Sequence, residues 1–516
     1  MTHHRIAFRR KHDSEQEQVI SVPAGMRLNE ALVQAGVPLR THCGGAGTCG
    51  KCQVVINDQN VLACQTTVES DLDVVVPDAS LRIDEQNVIV QTKTSPRILA
   101  RSTRNGGKGM TGHRYGMAVD IGTTMLAAEL HDFMGHFPVQ TASRINPQRQ
   151  FGDDVMTRIQ KIMENPSALT AMQQLVTGAI NEMVVELTEE SGLVPHDITI
   201  MVVAGNTTMQ SILFGIDPTP LGESPFHAPV NEFPPCRGRN IGLTMNTGGT
   251  VEALPIFGGF VGGDIVAGVL TLLALQSSMT PKFLLDIGTN GEIVLAHQGE
   301  LFTAATAAGP AFEGATIEFG TLAVPGAIER VEMTSGNITV STIGDKPAVG
   351  IGGSGLIDAV AVLLEQKIIL PNGRFAEKQS YVELVSAAES GIGEAILLTQ
   401  KDIRELQLAS GAIRAGVTLL LRENNVLLEE IETFYVAGGF GQSIRLSSAR
   451  RIGLLPALPS DRFEFCGNTS LAGARRMLLN PENAAVVRRF VQQSHHYELA
   501  TLPQFQEVFA KSMRWE

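Results

Sequence analysis

Residues 117–130 read "MAVDIGTTMLAAEL", and residues 283–296 read "FLLDIGTNGEIVLA". Each stretch joins an apolar strand, the tetrad Asp-Ile-Gly-Thr and a second apolar strand, so each predicts a β-hairpin. From residue 114 onward, strand, loop and helix signals alternate, which is typical of an α/β domain. Two copies of the tetrad this far apart predict two duplicated subdomains, each opening with a hairpin.

The turns of the two hairpins carry groups that suit phosphate. In the first turn, Gly122, Thr123 and Thr124 can offer successive N–H groups and hydroxyls to phosphate oxygens. Asp120, at the end of its strand, can hold the hydration shell of a Mg²⁺ ion. The second hairpin offers the same kinds of group: Asp286, Gly288, Thr289 and Asn290. One such tetrad alone favours a plain hairpin turn, whereas two copies and a third motif favour a nucleotide site.

The third motif is "YVAGGFG" at residues 435–441, where an apolar strand ends at Gly438 and Gly439 and is followed by Phe440. Glycine leaves bare backbone, against which an adenine and its ribose can lie. This ordered trio resembles the superfamily of actin, sugar kinases and heat-shock chaperones, in which two α/β subdomains clamp ATP in a cleft. The resemblance covers about residues 114–480.

A cysteine-rich loop at residues 42–52, "HCGGAGTCGKC", precedes this region. Cys43, Cys49, Cys52 and Cys64 are spaced C-x5-C-x2-C-x11-C, close to the C-x4-C-x2-C of plant-type 2Fe–2S ferredoxins. The intervening glycines allow the backbone to wrap tightly around a cluster. A four-cysteine zinc site remains the alternative, and the uneven, glycine-rich spacing favours 2Fe–2S.

Two other interpretations of the loop are disfavoured. As a phosphate-binding P-loop it would need Ser or Thr after Lys51 and a long helix beyond, but Cys52 and the strand-like "CQVVI" follow. As a Rieske centre it would need two histidines, and because four cysteines are available, we interpret His42 as a bystander or a tuner of the cluster potential.

The domain organisation follows from these motifs. Residues 1–80 combine the strand-like "RIAFRR", "QVISVPAG", "CQVVI" and "DVVVP" with one short helix in "RLNEALVQAG", which predicts a β-rich domain. The resemblance of its cysteine loop to ferredoxins implies the β-grasp, ferredoxin-like fold. Residues 81–113 read as a linker. Residues 114–516 form the predicted ATPase domain, with approximate subdomains 114–280 and 281–450 and C-terminal helices 451–516. The fold class is thus multidomain, α+β followed by α/β.

Composition excludes several classes of function. A net charge of −13 over 516 residues argues against a nucleic-acid binder. The longest apolar run, residues 265–275, is shorter than the ~20 residues that a membrane span needs, so we read it as a buried helix. The polar N-terminus does not resemble a secretory signal, and six unevenly placed cysteines do not form a disulfide framework. We therefore expect a cytoplasmic protein.

A narrower family resemblance rests on five further motifs. They are "VAGNTTMQSILFGIDPTPLGESPF" (203–226), "GGFVGGD" (258–264), "DIGTNGE" (286–292), "GGSGLIDAV" (352–360) and "NTSLAGA" (468–474). With the cysteine loop, they resemble the reductive activators of corrinoid-dependent methyltransferases, which join an N-terminal 2Fe–2S domain to an actin-like ATPase domain. Some members carry an extra middle domain, and with only 81–113 between the two domains we expect it to be absent here.

The resemblance implies ATP-dependent reduction of an inactive Co(II) corrinoid protein to Co(I), with an electron from the cluster. It implies iron ligation by Cys43, Cys49, Cys52 and Cys64. It also implies ATP binding by three sets of residues: Gly122, Thr123, Thr124 and Asn206; Gly288, Thr289, Asn290 and Glu292; and Gly438, Gly439 and Phe440. Asp120 and Asp286 are the candidates for Mg²⁺ and for positioning water, and Asp264 is added to them. The implied partners are the corrinoid protein, an upstream electron donor and a second copy in a homodimer.

Three other functions share some of these sequence features. A redox-regulated small-molecule kinase needs an acceptor base and a substrate pocket, to which no motif points. A nucleotide-switched electron-transfer module without ATP turnover has the same motifs and stays open. The activators of 2-hydroxyacyl-CoA dehydratases are disfavoured, because they hold a 4Fe–4S cluster at a dimer interface and have no ferredoxin domain.

Overall fold

The computed structural model describes residues 2–10, 13–37, 39–41, 43–77, 80–81, 114–134, 138–276, 278–439 and 443–515. His42, Phe440 and nearly all of the predicted linker 81–113 lie outside the described residues.

The N-terminal unit is a five-stranded sheet with one short helix packed on it. The strand order is β2-β1-β5-β3-β4, with β1 and β5 parallel. Its elements are β1 (His3–Arg10), β2 (Asp13–Pro23), α1 (Leu28–Gln34), β3 (Gln53–Ile56), β4 (Gln59–Leu62) and β5 (Leu72–Val76). Ile6, Leu32 and Val54 form part of its buried core. The predicted β-rich fold with one helix is confirmed, and β4 is the strand that the pattern did not indicate.

The first half of the larger body is built on a six-stranded sheet in the order β10-β11-β9-β6-β7-β8. Its strands are β6 (Tyr115–Ile121), β7 (Met125–Asp132), β8 (Pro138–Ile145), β9 (Ile198–Gly205), β10 (Cys236–Arg237) and β11 (Thr250–Ala253). The helices of this half are α2 (Val155–Glu164), α3 (Ser167–Glu190), α4 (Thr207–Leu213) and α5 (Gly263–Thr271).

The second half repeats this plan with a sheet in the order β21-β20-β12-β13-β14-β22. Its strands, with those of two small sheets, are β12 (Lys282–Ile287), β13 (Gly291–His297), β14 (Glu300–Thr306), β15 (Ala327–Thr334), β16 (Asn337–Thr342), β17 (Gly350–Ile351), β18 (Tyr381–Val385), β19 (Ile396–Thr399), β20 (Thr433–Ala437), β21 (Phe463–Gly467) and β22 (Ser494–Tyr497). The helices are α6 (Gly353–Glu365), α7 (Gln400–Glu423), α8 (Leu446–Arg451), α9 (Thr469–Leu479), α10 (Asn483–Gln492) and α11 (Phe505–Ser512). Residues 451–516 thus contribute two strands to the sheet as well as helices.

Both predicted hairpins are present, and they occupy equivalent places in the two sheets. In the first sheet β6 pairs antiparallel with β7 and parallel with β9, so that Asp120 lies opposite Ala204. In the second, β12 pairs antiparallel with β13 and parallel with β20, so that Asp286 lies opposite Ala437. Ligands in open α/β sheets bind beyond the carboxyl ends of such strands, and both aspartates lie there.

Helices α5 and α9 lie between the two sheets and share one buried core with strands of both. A Cβ atom at Gly473 of α9 would lie 2.2 Å from the carbonyl oxygen of Ala267 in α5, so the two helices can approach this closely only with glycine there. The apolar run 265–275 is confirmed as a buried helix that ends in a 3₁₀ turn. Among the described residues, no helix has the length and apolarity that crossing a membrane requires.

Candidate nucleotide cleft and cluster loop

A cavity of about 370 Å³ lies between the two sheets, within the range of small-molecule sites. It collects every described residue that the sequence analysis assigned to ATP or Mg²⁺: Asp120, Gly122, Thr123, Thr124, Asn206, Asp264, Asp286, Gly288, Thr289, Asn290, Glu292, Gly438 and Gly439. The three motifs therefore meet at one place, although they are spread over more than three hundred residues of the chain.

Asp120 is held in the cleft by two groups from the start of α9. Asn468 Nδ2 donates to Asp120 Oδ2 at 2.8 Å, and Ser470 Oγ donates to Asp120 Oδ1 at 2.7 Å. Burial raises the pKa of Asp120, and these two hydrogen bonds act in the opposite direction. Asn468 also caps α9 by accepting from Leu471 N. The motif "NTSLAGA" signalled the family but not this role, which only the fold reveals.

The turns of the two hairpins, residues 121–124 and 287–290, are here called the first and second phosphate loops. The first is held in place by an amide and a guanidinium group. Asn206 Nδ2 donates to Thr123 Oγ1 at 2.9 Å, while its own side-chain oxygen caps α4. Arg158, fully buried in α2, donates to the carbonyl oxygen of Thr123 at 2.6 Å. Burial lowers the pKa of Arg158 to about 10, so it remains a cation at neutral pH. Sequence reasoning did not find Arg158, since no motif surrounds it.

The two phosphate loops touch each other. The hydroxyl oxygens of Thr124 and Thr289 are 3.3 Å apart. Thr289 Oγ1 also lies 2.9 Å from each carboxylate oxygen of Glu313, to which it donates, and burial raises the pKa of Glu313. Sequence reasoning missed Glu313, which lies on a loop after β14 that no motif marks.

Besides Glu313, several carboxyl groups line this cleft, among them Asp120, Asp264, Asp286 and Glu292. Burial, together with the charge of Asp120, raises the pKa of Asp286 to about 7. Burial also raises the pKa of Asp264, with Asp286 adding to the effect, and that of Glu292, with Asp264 adding to the effect. Such a concentration of buried carboxylates suits a hard divalent cation, which would offset their repulsion.

Within the described ranges, no three Cys, His, Asp or Glu side chains are arranged to hold a metal ion by themselves. Mg²⁺ usually keeps several water ligands and binds through one or two carboxylates together with phosphate oxygens. The carboxyl groups of the cleft fit that mode.

Gly438 closes the cleft on the side of the third motif. Its φ is +94°, and a Cβ atom there would lie 2.3 Å from the carbonyl oxygen of Ile287 and 2.8 Å from Asp286 Oδ1. The bare backbone that the sequence analysis predicted is therefore also required by the approach of β20 to the second phosphate loop.

We expect Gly438→Ala to lower the unfolding free energy by about 1–3 kcal/mol, the cost of a non-glycine residue held in this backbone region. Nucleotide affinity should fall with it, because the added methyl group displaces Asp286. Thermal denaturation and calorimetric titration with an ATP analogue measure the two effects. Gly178→Ala in α3 is the control, since nothing lies within 4 Å of its added Cβ. Equal effects of the two substitutions would contradict this account.

The cysteine loop wraps as the glycine pattern predicted, with Gly44, Gly45, Gly47 and Gly50 all at positive φ. The four cysteines are free thiols that fall into two contacting pairs, Cys43 with Cys49 and Cys52 with Cys64. In a four-cysteine 2Fe–2S cluster each iron takes two thiolates, so the two pairs fit the two irons. Arg27 donates to the carbonyl oxygen of Cys64 at 2.9 Å and thereby holds the fourth ligand in place.

Comparisons with known proteins agree with this geometry. A family model described as the 2Fe-2S iron-sulfur cluster binding domain matches residues 11–72, which include all four cysteines. A second, described as the RACo middle region, matches residues 115–276, and a third, described as the C-terminal domain of RACo, the ASKHA domain, matches residues 280–516. The chain is 30% identical to the corrinoid activation enzyme RamQ of Eubacterium limosum, over 96% of this chain and 97% of that protein.

The chain belongs to the RACo family of reductive activators. A solved structure titled "Reductive activator for corrinoid,iron-sulfur protein" shares 31% identity, has a TM-score of 0.71, and aligns over 99% of this chain and 98% of that one. The [Co(II) methylated amine-specific corrinoid protein] reductase of Methanosarcina barkeri is 31% identical over 48% of each chain. The resemblance drawn from the sequence motifs is thus confirmed.

The match to the RACo middle region bears on the predicted domain organisation. It covers residues 115–276, which fold into the first sheet of the cleft and its helices. The middle region thus coincides with the predicted subdomain 114–280 and supplies one wall of the cleft. That no further domain lies between the linker and the ATPase domain stays a prediction.

Proposed function

We propose that this protein reduces an inactive Co(II) corrinoid protein to Co(I) in an ATP-dependent reaction. The observation that carries the proposal is the combination, in one chain, of a cleft lined by two phosphate loops with a loop of two cysteine pairs. The similarity to a corrinoid activation enzyme over nearly its whole length supports this choice of substrate. The reaction adds one electron to cobalt, and each turnover requires one electron from outside.

The cleft has a clear physical task in this reaction. A plant-type 2Fe–2S cluster supplies single electrons at a reduction potential of about −400 mV. Co(II) in a resting corrinoid is harder to reduce than such a cluster. Nucleotide need not react with cobalt, because a ligand that binds one of two conformations more tightly shifts the equilibrium between them. The energy of nucleotide binding and hydrolysis can then favour a conformation that holds the corrinoid protein in a more easily reduced state.

The residues of the cleft divide this task among them. The hydroxyl and N–H groups of the two hairpin turns bind phosphate oxygens, and the bare backbone at Gly438 and Gly439 faces the adenosine. Asp120, held by Asn468 and Ser470, and Asp286 would hold Mg²⁺, which would supply a charge on the phosphates and orient the attacking water, and Asp264 would be the third carboxyl group of this set. These assignments are supported by the shared cavity and by the hydrogen bonds around Asp120.

The proposal includes partners that follow from the chemistry. A low-potential electron donor must reload the cluster after each turnover. Thiol ligation of an iron–sulfur cluster fits a reducing compartment, and we therefore place the reaction in the cytoplasm. A homodimer is included on the basis of the family resemblance alone.

The direct test mixes candidate Co(II) corrinoid proteins with pre-reduced protein under anaerobic conditions and follows the cobalt spectrum. We expect Co(I) to appear only when both ATP and reduced protein are present. Protein loaded with a non-hydrolysable ATP analogue is the matched control, and it should leave most of the cobalt as Co(II).

Other outcomes of the same assay identify the rivals. Reduction that proceeds equally well with the analogue, without release of phosphate, would assign the chain to the nucleotide-switched electron-transfer modules. Transfer of phosphate to a small molecule in the absence of any corrinoid protein would instead assign it to the kinases.

A further inference from the structure

Lys51 lies between Cys49 and Cys52 in the cysteine-rich loop of residues 43–52, here called the cluster loop. It is neither one of the proposed iron ligands nor a lining residue of the cleft. Its side chain is only 7% exposed, and Nζ donates to the carbonyl oxygens of Ile317 at 2.7 Å and Glu318 at 2.8 Å. The Glu318 carboxylate lies 3.8 Å from the same nitrogen. A lysine of the N-terminal unit, here called the cluster domain, is therefore inserted into a loop of the larger body that contains the cleft, here called the body.

Two more contacts seat the cluster domain on this body. Arg40 Nη2 donates to the carbonyl oxygen of Gly320 at 2.8 Å. Burial lowers the pKa of Arg40, and the carboxylates of Asp153 and Glu318 oppose this effect. On the other side, a Cβ atom at Gly44 would lie 2.3 Å from the carbonyl oxygen of Phe151. The cluster loop thus rests on both halves of the body at once.

The loop that receives Lys51 and Arg40 is the one that carries Glu313. We call residues 310–320 the coupling segment. Its backbone is compact, because a Cβ atom at Gly320 would lie 2.2 Å from the carbonyl oxygen of Gly314. Glu318 N donates to Asp402 Oδ1 at 2.7 Å, which ties the segment to the start of α7. The part of the segment next to Glu313 therefore lies against Gly320, so that a displacement of Glu313 can reach residues 317–320.

Glu313 and a nucleotide phosphate compete for the same hydroxyl groups. Glu313 accepts from Thr289 through both carboxylate oxygens and is also hydrogen-bonded by Thr124. These are the hydroxyls that the two phosphate loops offer to an anion. A phosphate that enters the loops meets a carboxylate in its place, and two anions repel each other strongly in a partly desolvated cleft.

We propose that nucleotide binding and docking of the cluster loop oppose each other through the coupling segment. A nucleoside triphosphate displaces Glu313 from Thr124 and Thr289, shifts the segment and releases Lys51 and Arg40 from its carbonyl oxygens. In the docked form the side of the cluster loop at Gly44 and Lys51 is covered by the body, and release exposes that side to a protein partner. The identity of the ligand rests on the proposed function, whereas the coupling itself does not depend on a corrinoid partner.

The two equilibria are thermodynamically linked. If bound nucleotide weakens docking of the cluster loop by some factor, docking must weaken the affinity for nucleotide by the same factor. In the full-length, cluster-loaded protein, Arg40→Gln and Lys51→Gln should each bind a non-hydrolysable ATP analogue about tenfold more tightly than the native chain, a factor typical of coupled sites. Arg5→Gln is the matched control. Arg5 is an exposed arginine of the same domain whose ion pairs are with Glu17 and Asp73, and its substitution should leave the affinity unchanged.

Hydrogen–deuterium exchange gives a second readout that needs no substitution. The analogue should increase amide exchange in residues 43–52 of the native protein and have little effect there in Arg40→Gln, whose loop is already released. A variant is compared with the native protein only if its visible absorption spectrum shows the same cluster content as that of the native protein. Glu313→Gln, which lies outside the cluster domain, tests the same coupling from the cleft and should also tighten binding of the analogue.

Unchanged affinities in these variants, or exchange in residues 43–52 that does not respond to the analogue, would overturn the coupling. Both measurements omit the corrinoid protein. A failure of the coupling therefore leaves the cobalt assay free to succeed, and a failure of the cobalt assay leaves these two measurements interpretable.

Discussion

Cys49→Ser is expected to abolish the visible absorption of the 2Fe–2S cluster while the protein still folds and still binds ATP. Cys49 forms one of the two thiol pairs with Cys43, and a serine hydroxyl is a poor substitute for a thiolate as an iron ligand. The cleft is built from residues 120–470, and none of its lining residues belongs to the cluster domain. Loss of the cluster should therefore end corrinoid reduction and spare the nucleotide site.

The measurement combines the visible spectrum of the anaerobically purified variant with a calorimetric titration of an ATP analogue. Cys236→Ser is the matched control, because Cys236 is a free thiol on β10, remote in sequence from the cluster loop, and it should keep the full cluster spectrum. Loss of both the absorption and nucleotide binding in Cys49→Ser would mean that the two sites are not separable units.

Asp286→Asn is expected to lower ATP turnover by about a hundredfold or more, the scale of effect when a group that positions a metal or a proton is removed. Asp286 lies at the end of β12, opposite Ala437 of β20. Nucleotide should still bind, because the hydroxyl and N–H groups of both phosphate loops are untouched. Phosphate release at saturating ATP separates this effect from a loss of affinity.

The same substitution should raise the unfolding temperature of the nucleotide-free protein. Burial and the charge of Asp120 raise the pKa of Asp286 to about 7, which shows that its ionised form is unfavourable in the empty cleft. A neutral amide removes that repulsion. Asp461→Asn, at an exposed site, is the control and should change neither property. A fall in stability together with unchanged turnover would contradict the assignment of Asp286 to the metal site.

Much of the cleft could be predicted because its groups are local in the sequence. In the tetrad Asp-Ile-Gly-Thr, the strand end, the turn and the phosphate donors are consecutive residues, so the pattern that specifies the hairpin also specifies the ligand groups. The same holds for the cysteine loop, where Gly44 and Gly47 take the positive φ angles that let the loop close. The duplication of the tetrad then implied two facing subdomains.

The residues that sequence reasoning missed share one property: each acts on a residue at or beside a hairpin turn from outside that hairpin. Ser470 reaches Asp120 from 350 positions away, and Arg158 supports Thr123 from a helix that no motif marks. Glu313 meets Thr289 only because a loop returns to the cleft. Side chains of these types are common in any globular protein, so nothing in their immediate neighbours distinguishes them.

The sequence by itself determined which chemistry the chain carries: four thiols spaced for two irons within residues 43–64, and two phosphate turns and an adenosine turn, each encoded in a short local motif. The tertiary structure decided how these parts act on one another. It placed Lys51 and Arg40 of the cluster domain against the segment that bears Glu313, through contacts 266 and 280 residues apart. The acceptors in these contacts are backbone carbonyl oxygens. Because every residue has one, no sequence pattern can predict these contacts.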